Sequence, residues 1–251
     1  PVVMALCIFQ ESTQVPVIEL CKDDTVITVS CRIVIPDGLV IADTNGNGVL
    51  HIETDGIEIE FAEGSVLRGA RPDTDLDQCT GIGVVVRGCK SVKLHNLRVS
   101  GFKVGVLAQD AMGFEIRDSH FVGNYAQRLK STPEKEDPSD WIWPHENDEQ
   151  QWRTKYGGAI CIERSEFVLI ENVTVRRGQN GILLDRVRRS NIRNNDCSFL
   201  SGWGLALWRS SDNLVIGNAF DFCIRGYSHG VYNRGQDSAG QIGRASCRER
   251  G

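Results

Sequence analysis

The sequence predicts an all-β solenoid, a coil of short parallel strands with three strands in each turn. Three observations lead to this class. A glycine opens an apolar run about once every 22 to 24 residues, and an aliphatic residue and then an Asn or Asp follow at constant distances. The apolar segments are too short for helices and suit strands. Because the period is fixed, equivalent side chains stack in successive turns and fill one continuous interior.

Four columns of residues define the repeat. They are the glycines Gly83, Gly105, Gly158, Gly181, Gly204 and Gly230, the aliphatics Leu94, Ile116, Ile170, Ile192 and Ile216, the turn residues Asn96, Asp118, Asn172, Asn194 and Asn218, and the third-strand residues Val99, Phe121, Val175 and Cys197. The last repeat departs, with Asp221 in the apolar position. Alternation places the first and third residues after each glycine inward, Cys161 among them, and the second and fourth in solvent. We expect the Asn/Asp column to face inward and to bond the turn backbone.

The Gly-Ile-x-Leu and Ile-x-Asn-Asn patterns resemble the pectate-lyase-like family of repeat proteins. This resemblance implies a single-stranded, right-handed parallel β-helix whose neighbouring turns are joined by a ladder of Asn side chains. Regular rungs are expected over residues 81–240, and irregular early rungs over about 25–80, where Gly38, Gly48 and Gly56 open apolar runs. The prediction is one β-helix domain, residues 1–240.

One repeat carries an insertion at residues 124–157, which holds Trp141, Trp143 and Trp152. A loop of this length inside a compact fold is usually functional or disordered, and disorder does not enrich Trp. We therefore expect an ordered flap beside the outward face of the solenoid. Residues 241–251 resemble a translated sequencing adapter, and we expect them to be a non-native tail outside the fold.

Composition limits the classes of function. The net charge of −5 lacks the positive field that recruits nucleic acid. The longest apolar stretch, residues 1–9, falls short of the roughly 18 residues that a membrane span needs. The nine cysteines form no CxxC pair and are expected to be buried hydrophobes, Cys161 and Cys197 among them. We expect a monomer outside the cytoplasm, although no signal peptide is visible.

The outward stripe after each glycine carries the candidate site. Its two columns read Arg87, Gln109, Ile162, Asp185, Trp208, Arg234 and Gly88, Asp110, Glu163, Arg186, Arg209, Gly235. The family resemblance places a sugar-binding groove on this sheet, and an exposed Trp208 suits stacking on a sugar ring. The leading hypothesis is a carbohydrate-active protein that binds or processes a polysaccharide, with uronic acids favoured by the number of arginines.

The expected catalytic residues are Asp185, Glu163, Arg209 and His229. Carboxyl groups about 5 Å apart suit retaining glycoside hydrolysis, and a spacing of about 6.5 to 9.5 Å suits inversion. A lyase or epimerase instead needs arginines to neutralise the uronate and a base, for which His229 or Tyr232 is available. The family's aligned Asp pairs are not evident, so the choice among these reactions stays open. The expected substrate-binding residues are Trp208, Arg87, Arg186, Tyr232, Arg234, Trp141, Trp143 and His145. The stretches 140–145 and 225–237 also resemble an uncharacterised bacterial branch of the family.

Other classes stay open with less support. One alternative is a non-catalytic β-helix that binds glycan or assembles into a surface or export complex. A periplasmic copper-delivery β-helix is disfavoured by the two methionines and by the absence of metal-ligand spacing. No cofactor is expected, although residues 43–48 match the first half of a Ca²⁺ loop, for which a tight turn is the better interpretation. The glycosylation sequon at Asn172 is not expected to be used, because its side chain is predicted to face inward.

Overall fold

A computed structural model describes residues 15–132, 135, 137–140, 146–223 and 239–244, the last segment and Pro138 by their backbone only. Apart from short 3-10 segments at Leu76–Gln78 and Pro138–Asp140 and one π-helical turn at Trp152–Tyr156, the regular structure of this part is all strand. The strands are β1 Val17–Glu19, β2 Thr25–Ile27, β3 Cys31–Val34, β4 Leu50–Ile52, β5 Glu58–Phe61, β6 Leu67–Arg68, β7 Ile82–Arg87, β8 Lys93–His95, β9 Arg98–Ser100, β10 Val104–Gln109, β11 Glu115–Arg117, β12 His120–Val122, β13 Gly158–Glu163, β14 Leu169–Glu171, β15 Thr174–Arg176, β16 Ile182–Asp185, β17 Asn191–Arg193, β18 Trp203–Trp208, β19 Leu214–Ile216 and β20 Ala239–Arg244.

The strands form three sheets in which neighbours come from successive turns of the chain. Sheet A has the order β1-β3-β5-β8-β11-β14-β17-β19, sheet B the order β2-β4-β7-β10-β13-β16-β18-β20, and sheet C the order β15-β12-β9-β6. The pairs between these strands are parallel, as in β10 with β7 and β14 with β17. Valine, isoleucine, leucine and phenylalanine side chains from all three sheets fill one continuous interior. The predicted right-handed parallel β-helix is confirmed.

The glycine column departs from the prediction in two rungs, at Gly158 and at the last strand, where β20 aligns Gly240 with Gly204 while the predicted Gly230 lies outside the described residues. The strand pairing aligns Gly83 with Gly105, and Gly181 with Gly204, because their neighbours are in register. In the rung that lies between those of Gly105 and Gly181, Ile160 pairs with Val106, so Ala159 and not Gly158 occupies the glycine column. Alternation along β13 is therefore the reverse of the expected one. Cys161, expected inward, points outward, and the two isoleucines on either side of it are in the core.

A second one-residue correction applies to the last regular rung. Ile192 pairs with Val215, so Val215 and not Ile216 holds the aliphatic column, and Ile216 is exposed. The same shift aligns Cys197 with Phe220, which packs against the core. The departure expected at Asp221 disappears, because an apolar side chain does occupy that position.

Four of the five residues in the Asn/Asp turn column do not face inward as expected, and Asn218 is the exception. Asn96, Asp118, Asn172 and Asn194 are exposed, and each has a left-handed backbone with φ between 52° and 58°. Asn and Asp tolerate this conformation better than other non-glycine residues, which explains the column. The inward amides belong to Asn195 and Asn218, and Asn195 donates to Asn218 Oδ1 at 2.9 Å. The prediction that the Asn172 side chain faces inward, which argued against glycosylation there, is therefore wrong.

Sheets A and B begin at β1 and β2, so early rungs precede the regular ones. Within them, the turn at residues 43–48 is held by Asp43, whose carboxylate accepts hydrogen bonds from the backbone of Gly46, Gly48 and Ile82. This arrangement supports the interpretation of residues 43–48 as a tight turn rather than as a calcium-binding loop. At the other end, β20 pairs with β18, so part of the tail expected outside the fold adds a strand to sheet B.

Candidate functional site

The outer face of sheet B is covered by the last part of the insertion, residues 146–157, which we call the flap. Trp152 is fully buried, and its ring stacks on Trp203 with centroids 3.5 Å apart and planes inclined by 20°. Tyr156 and Trp208 complete an aromatic cluster around it. An ordered flap beside the outward stripe is what the sequence predicts. Trp208, however, is 4% exposed rather than open to solvent, because the flap packs against it.

Two carboxylates lie side by side beneath the flap. Glu163 is in register with Asp185 on the neighbouring strand, and parallel strands are about 4.8 Å apart. The sequence placed Glu163 one column to the side, and the shift at Ala159 brings it into the column of Asp185. Both residues are more than nine-tenths buried. Charged groups at this depth require partners, which the flap and the adjacent turns supply.

Glu163 is held by one arginine of the flap, one amide of sheet B and, at the longer distance of 3.5 Å, Nη1 of Arg164 in the turn that follows it. Arg153 donates through Nε to Oε1 at 2.7 Å, and Gln109 donates through Nε2 to Oε2 at 2.7 Å. Arg153 also donates to Gln150 Oε1 at 2.5 Å, which fixes the guanidinium within the flap. Both carboxylate oxygens of Glu163 thus accept hydrogen bonds from the protein itself.

Asp185 has two arginine partners from adjacent rungs. Arg209 donates through Nε to Oδ1 at 3.2 Å, and Arg186 donates through Nη1 to Oδ2 at 3.0 Å. Arg209 also joins the flap, since its guanidinium pairs with Asp148 and donates to the carbonyl oxygen of Asn147 at 2.9 Å. The flap is therefore bound to sheet B and the turn that follows β18 by two ion pairs, Arg153–Glu163 and Arg209–Asp148.

Three arginines occupy the same turn position on successive rungs. Arg164, Arg186 and Arg209 directly follow β13, β16 and β18, and each has a left-handed backbone, with φ of 46°, 57° and 49°. Their side chains are 36%, 43% and 36% exposed. Arg164 donates to Asp110 through Nε at 2.8 Å and through Nη2 at 3.0 Å, and these hydrogen bonds lower the pKa of the Asp110 carboxyl. We call this column the arginine edge.

The space between the carboxylates and the flap is small. A cavity of about 10 Å³ is lined by both carboxylates, Cys161, Arg153 and the rings of Trp152 and Trp208. That volume is about what one water molecule needs. With the flap in this position, a sugar ring has no access to Glu163 or Asp185, and the oxygens that hydrolysis requires are engaged by arginines.

The structure brings together five of the predicted site residues, namely Glu163, Asp185, Arg186, Trp208 and Arg209. Arg87 lies further along the sheet, where its Nε donates to Gln109 Oε1 at 3.4 Å. The other predicted residues, Trp141, Trp143, His145, His229, Tyr232 and Arg234, lie outside the described residues.

Sequence reasoning missed Arg153, Asp148 and Gln109. Gln109 stood in the outward stripe of the sequence, but the displaced register hid that it pairs with Glu163. Arg153 and Asp148 carry no sequence signal except their proximity to Trp152.

The site has little capacity for a metal ion. Within the described ranges, no group of three or more His, Cys, Asp or Glu side chains is arranged to hold one. Cys161 is the only soft ligand that lines the cavity, and burial raises the pKa of its thiol to about 12, which disfavours the thiolate that binds metals. The residues present here do not fit a copper centre.

Comparison with known proteins gave one family. Residues 147–242 match the family model described as "Periplasmic copper-binding protein (NosD)". This is the class that the sequence disfavoured on its methionines and metal-ligand spacing, and the match covers the flap and the following rungs. The description places that family in the periplasm, in agreement with the expected extracytoplasmic location. Searches of curated proteins and of solved structures gave no match. No helix among the described residues is long and apolar enough to cross a bilayer.

Proposed function

We propose that this protein is an extracytoplasmic β-helix that binds an acidic polysaccharide along the arginine edge without cleaving it. The observation that carries the proposal is the placement of three half-exposed guanidiniums in register on successive rungs. Adjacent rungs repeat every 4.8 Å or so, which presents a periodic row of donors to a chain of sugar carboxylates.

Free hydrogen-bonding capacity supports this role. A guanidinium carries five N–H donors, and Arg186 uses one of them on Asp185. The partners hold the guanidiniums in place, which lowers the entropy cost of binding a ligand.

The state of the carboxylates favours binding over hydrolysis. A glycosidase needs one carboxyl to give a proton to the leaving oxygen and the other to attack or activate water. Here Glu163 and Asp185 are each bonded to arginine beneath the flap, and the cavity beside them holds about one water molecule. We infer that the pair stabilises the flap and the arginine edge.

The test is binding of polygalacturonate and of neutral dextran to the wild type and to Arg186→Ala, measured by calorimetry. We expect polygalacturonate alone to bind, and Arg186→Ala to weaken it about tenfold, the effect of losing a charge-assisted hydrogen bond. Arg189→Ala is the matched control, since Arg189 is exposed and paired with Glu166 on the neighbouring turn.

Two results would overturn the proposal. One is equal affinity of the Arg186 and Arg189 variants. The other is release of new reducing ends from the polysaccharide by the wild type and its loss in Asp185→Asn, which would identify an enzyme that uses the buried pair.

A further inference from the structure

A second pocket lies away from the arginine edge, where sheet C meets the loop that follows β6. Its volume is about 420 Å³, within the range of small-molecule sites. The lining includes Arg68, Arg71, Asp73, Thr74, Ser100 and Arg177. Three separate parts of the chain each supply one guanidinium to this pocket: β6, the loop after it, and the turn after β15.

The three guanidiniums of this pocket lack partners. Among the described residues, Arg68, Arg71 and Arg177 have neither an ion pair nor a side-chain hydrogen bond. Their guanidiniums therefore keep their donors free for a ligand, whereas Arg128 at the same loop is paired with Asp75 at 2.5 Å. Arg128 thereby also neutralises one of the two carboxylates in the pocket lining. Asp73 is the other, so the pocket has a net positive charge.

The shape of the pocket follows from the register of sheet C. Gly101, Gly123 and Arg177 occupy the same position on three successive rungs. The two glycines have left-handed backbones with φ of 75° and 74° and no side chain to fill the space. Arg177 is the first residue of this column with a side chain, and it lines the pocket. A Cβ atom at Gly101 would come within 2.5 Å of the backbone nitrogen of Ala70, so glycine is required there.

We propose that this pocket binds a monosaccharide-sized sugar that carries one carboxylate or phosphate group. Three unpartnered guanidiniums recognise the anionic oxygens, since arginine forms paired hydrogen bonds with planar carboxylates and with phosphates. The hydroxyl groups of Thr74 and Ser100 and the carboxylate of Asp73 line the same space and are suited to sugar hydroxyls. This site is separate from the arginine edge and does not depend on it.

The test is calorimetric titration of the wild type with glucuronate, glucose 6-phosphate, glucose and inorganic phosphate. We expect one or both anionic sugars to bind, and Arg71→Ala and Arg177→Ala each to weaken that binding about tenfold. Both side chains are exposed, so alanine should leave the fold unchanged, which circular dichroism checks. Arg188→Ala is the matched control, because Arg188 is exposed and lies outside the pocket.

The outcomes separate the parts of the proposal. A preference for glucuronate or for glucose 6-phosphate identifies the anionic group and supports the site. Binding of glucose as tight as that of the anionic sugars, or of inorganic phosphate as tight as that of glucose 6-phosphate, overturns it. The proposal is also overturned if the wild type, Arg71→Ala and Arg177→Ala bind both anionic sugars with equal affinity. Arg186→Ala is expected to leave this pocket's affinity unchanged, so failure of the polysaccharide hypothesis is distinguishable.

Discussion

At the scale of single residues, the adjacent asparagines Asn194 and Asn195 have different structural roles. Asn194 is exposed in a left-handed turn, whereas Asn195 is buried and joins three rungs. The Asn195 side chain accepts from the Val173 N–H at 3.0 Å and donates to the Ile170 carbonyl at 3.0 Å. The sequence indicated an amide at this turn, but an Asn-Asn pair offers two candidates. Only the direction of the turn decides which one is inside.

Replacing the inner asparagine should be much more damaging than replacing the outer one. Asn195→Ala leaves a buried N–H and a buried carbonyl without partners, and we expect a loss of about 3 kcal/mol in the free energy of unfolding. Asn194→Ala should cost about 1 kcal/mol, the strain of a left-handed alanine. Urea denaturation of both variants measures the difference. The reverse order would contradict the register described here.

At the scale of elements, the molecule has two apolar clusters divided by sheet B. One is the interior of the solenoid, and the other is the outer cluster of Trp152, Tyr156, Trp203 and Trp208 over the sheet. The sequence predicted the rungs, their period and the position of the insertion, because a fixed period repeats the same signal many times. The sequence did not predict that Ala159 occupies the glycine column, because the neighbouring Gly158 fits the repeat equally well. The flap contacts with Glu163 could not be predicted, because they join segments of unrelated sequence.

Trp152 should hold the flap without supporting the solenoid. We expect Trp152→Ala to remove about 3 to 5 kcal/mol of local stability, the usual cost of deleting a buried large aromatic. The flap should then be cut faster by trypsin at Arg153 or Lys155, while the circular dichroism of the β-helix stays the same. Phe167→Ala serves as the control, because Phe167 is 50% exposed. Equal rates of cleavage at Arg153 and Lys155 in the two variants would show that Trp152 does not anchor the flap.

At the scale of the whole molecule, the cysteines are distributed through the solenoid as small buried side chains. Six of the seven described cysteines are buried, and none of the seven is in a disulfide. Burial raises the pKa of Cys161 to about 12 and also raises those of Cys197 and Cys31. The expectation that Cys161 and Cys197 are buried is confirmed, although Cys161 lies on the outer face. The fold therefore favours protonated thiols.

This preference predicts a loss of stability at alkaline pH. An unfolded thiol releases its proton near pH 8.5, whereas folded Cys161 keeps it up to about pH 12, so the free energy of unfolding should fall between these values. One such thiol contributes a slope of about 1.4 kcal/mol per pH unit. Urea denaturation from pH 8 to pH 11, with Cys161→Ala compared with the wild type, measures this slope. Parallel pH profiles for the two proteins would refute the assignment.

The insertion has a consequence for how such a molecule can change. Residues on either side of it are 54 positions apart in sequence but occupy neighbouring rungs, as do residues 22 positions apart elsewhere. The strands before and after the insertion keep the same pairing, because the additional chain leaves and returns at one corner. That corner is a natural grafting point. A different flap could be exchanged there, and the cover of the binding face would change while the supporting scaffold remained intact.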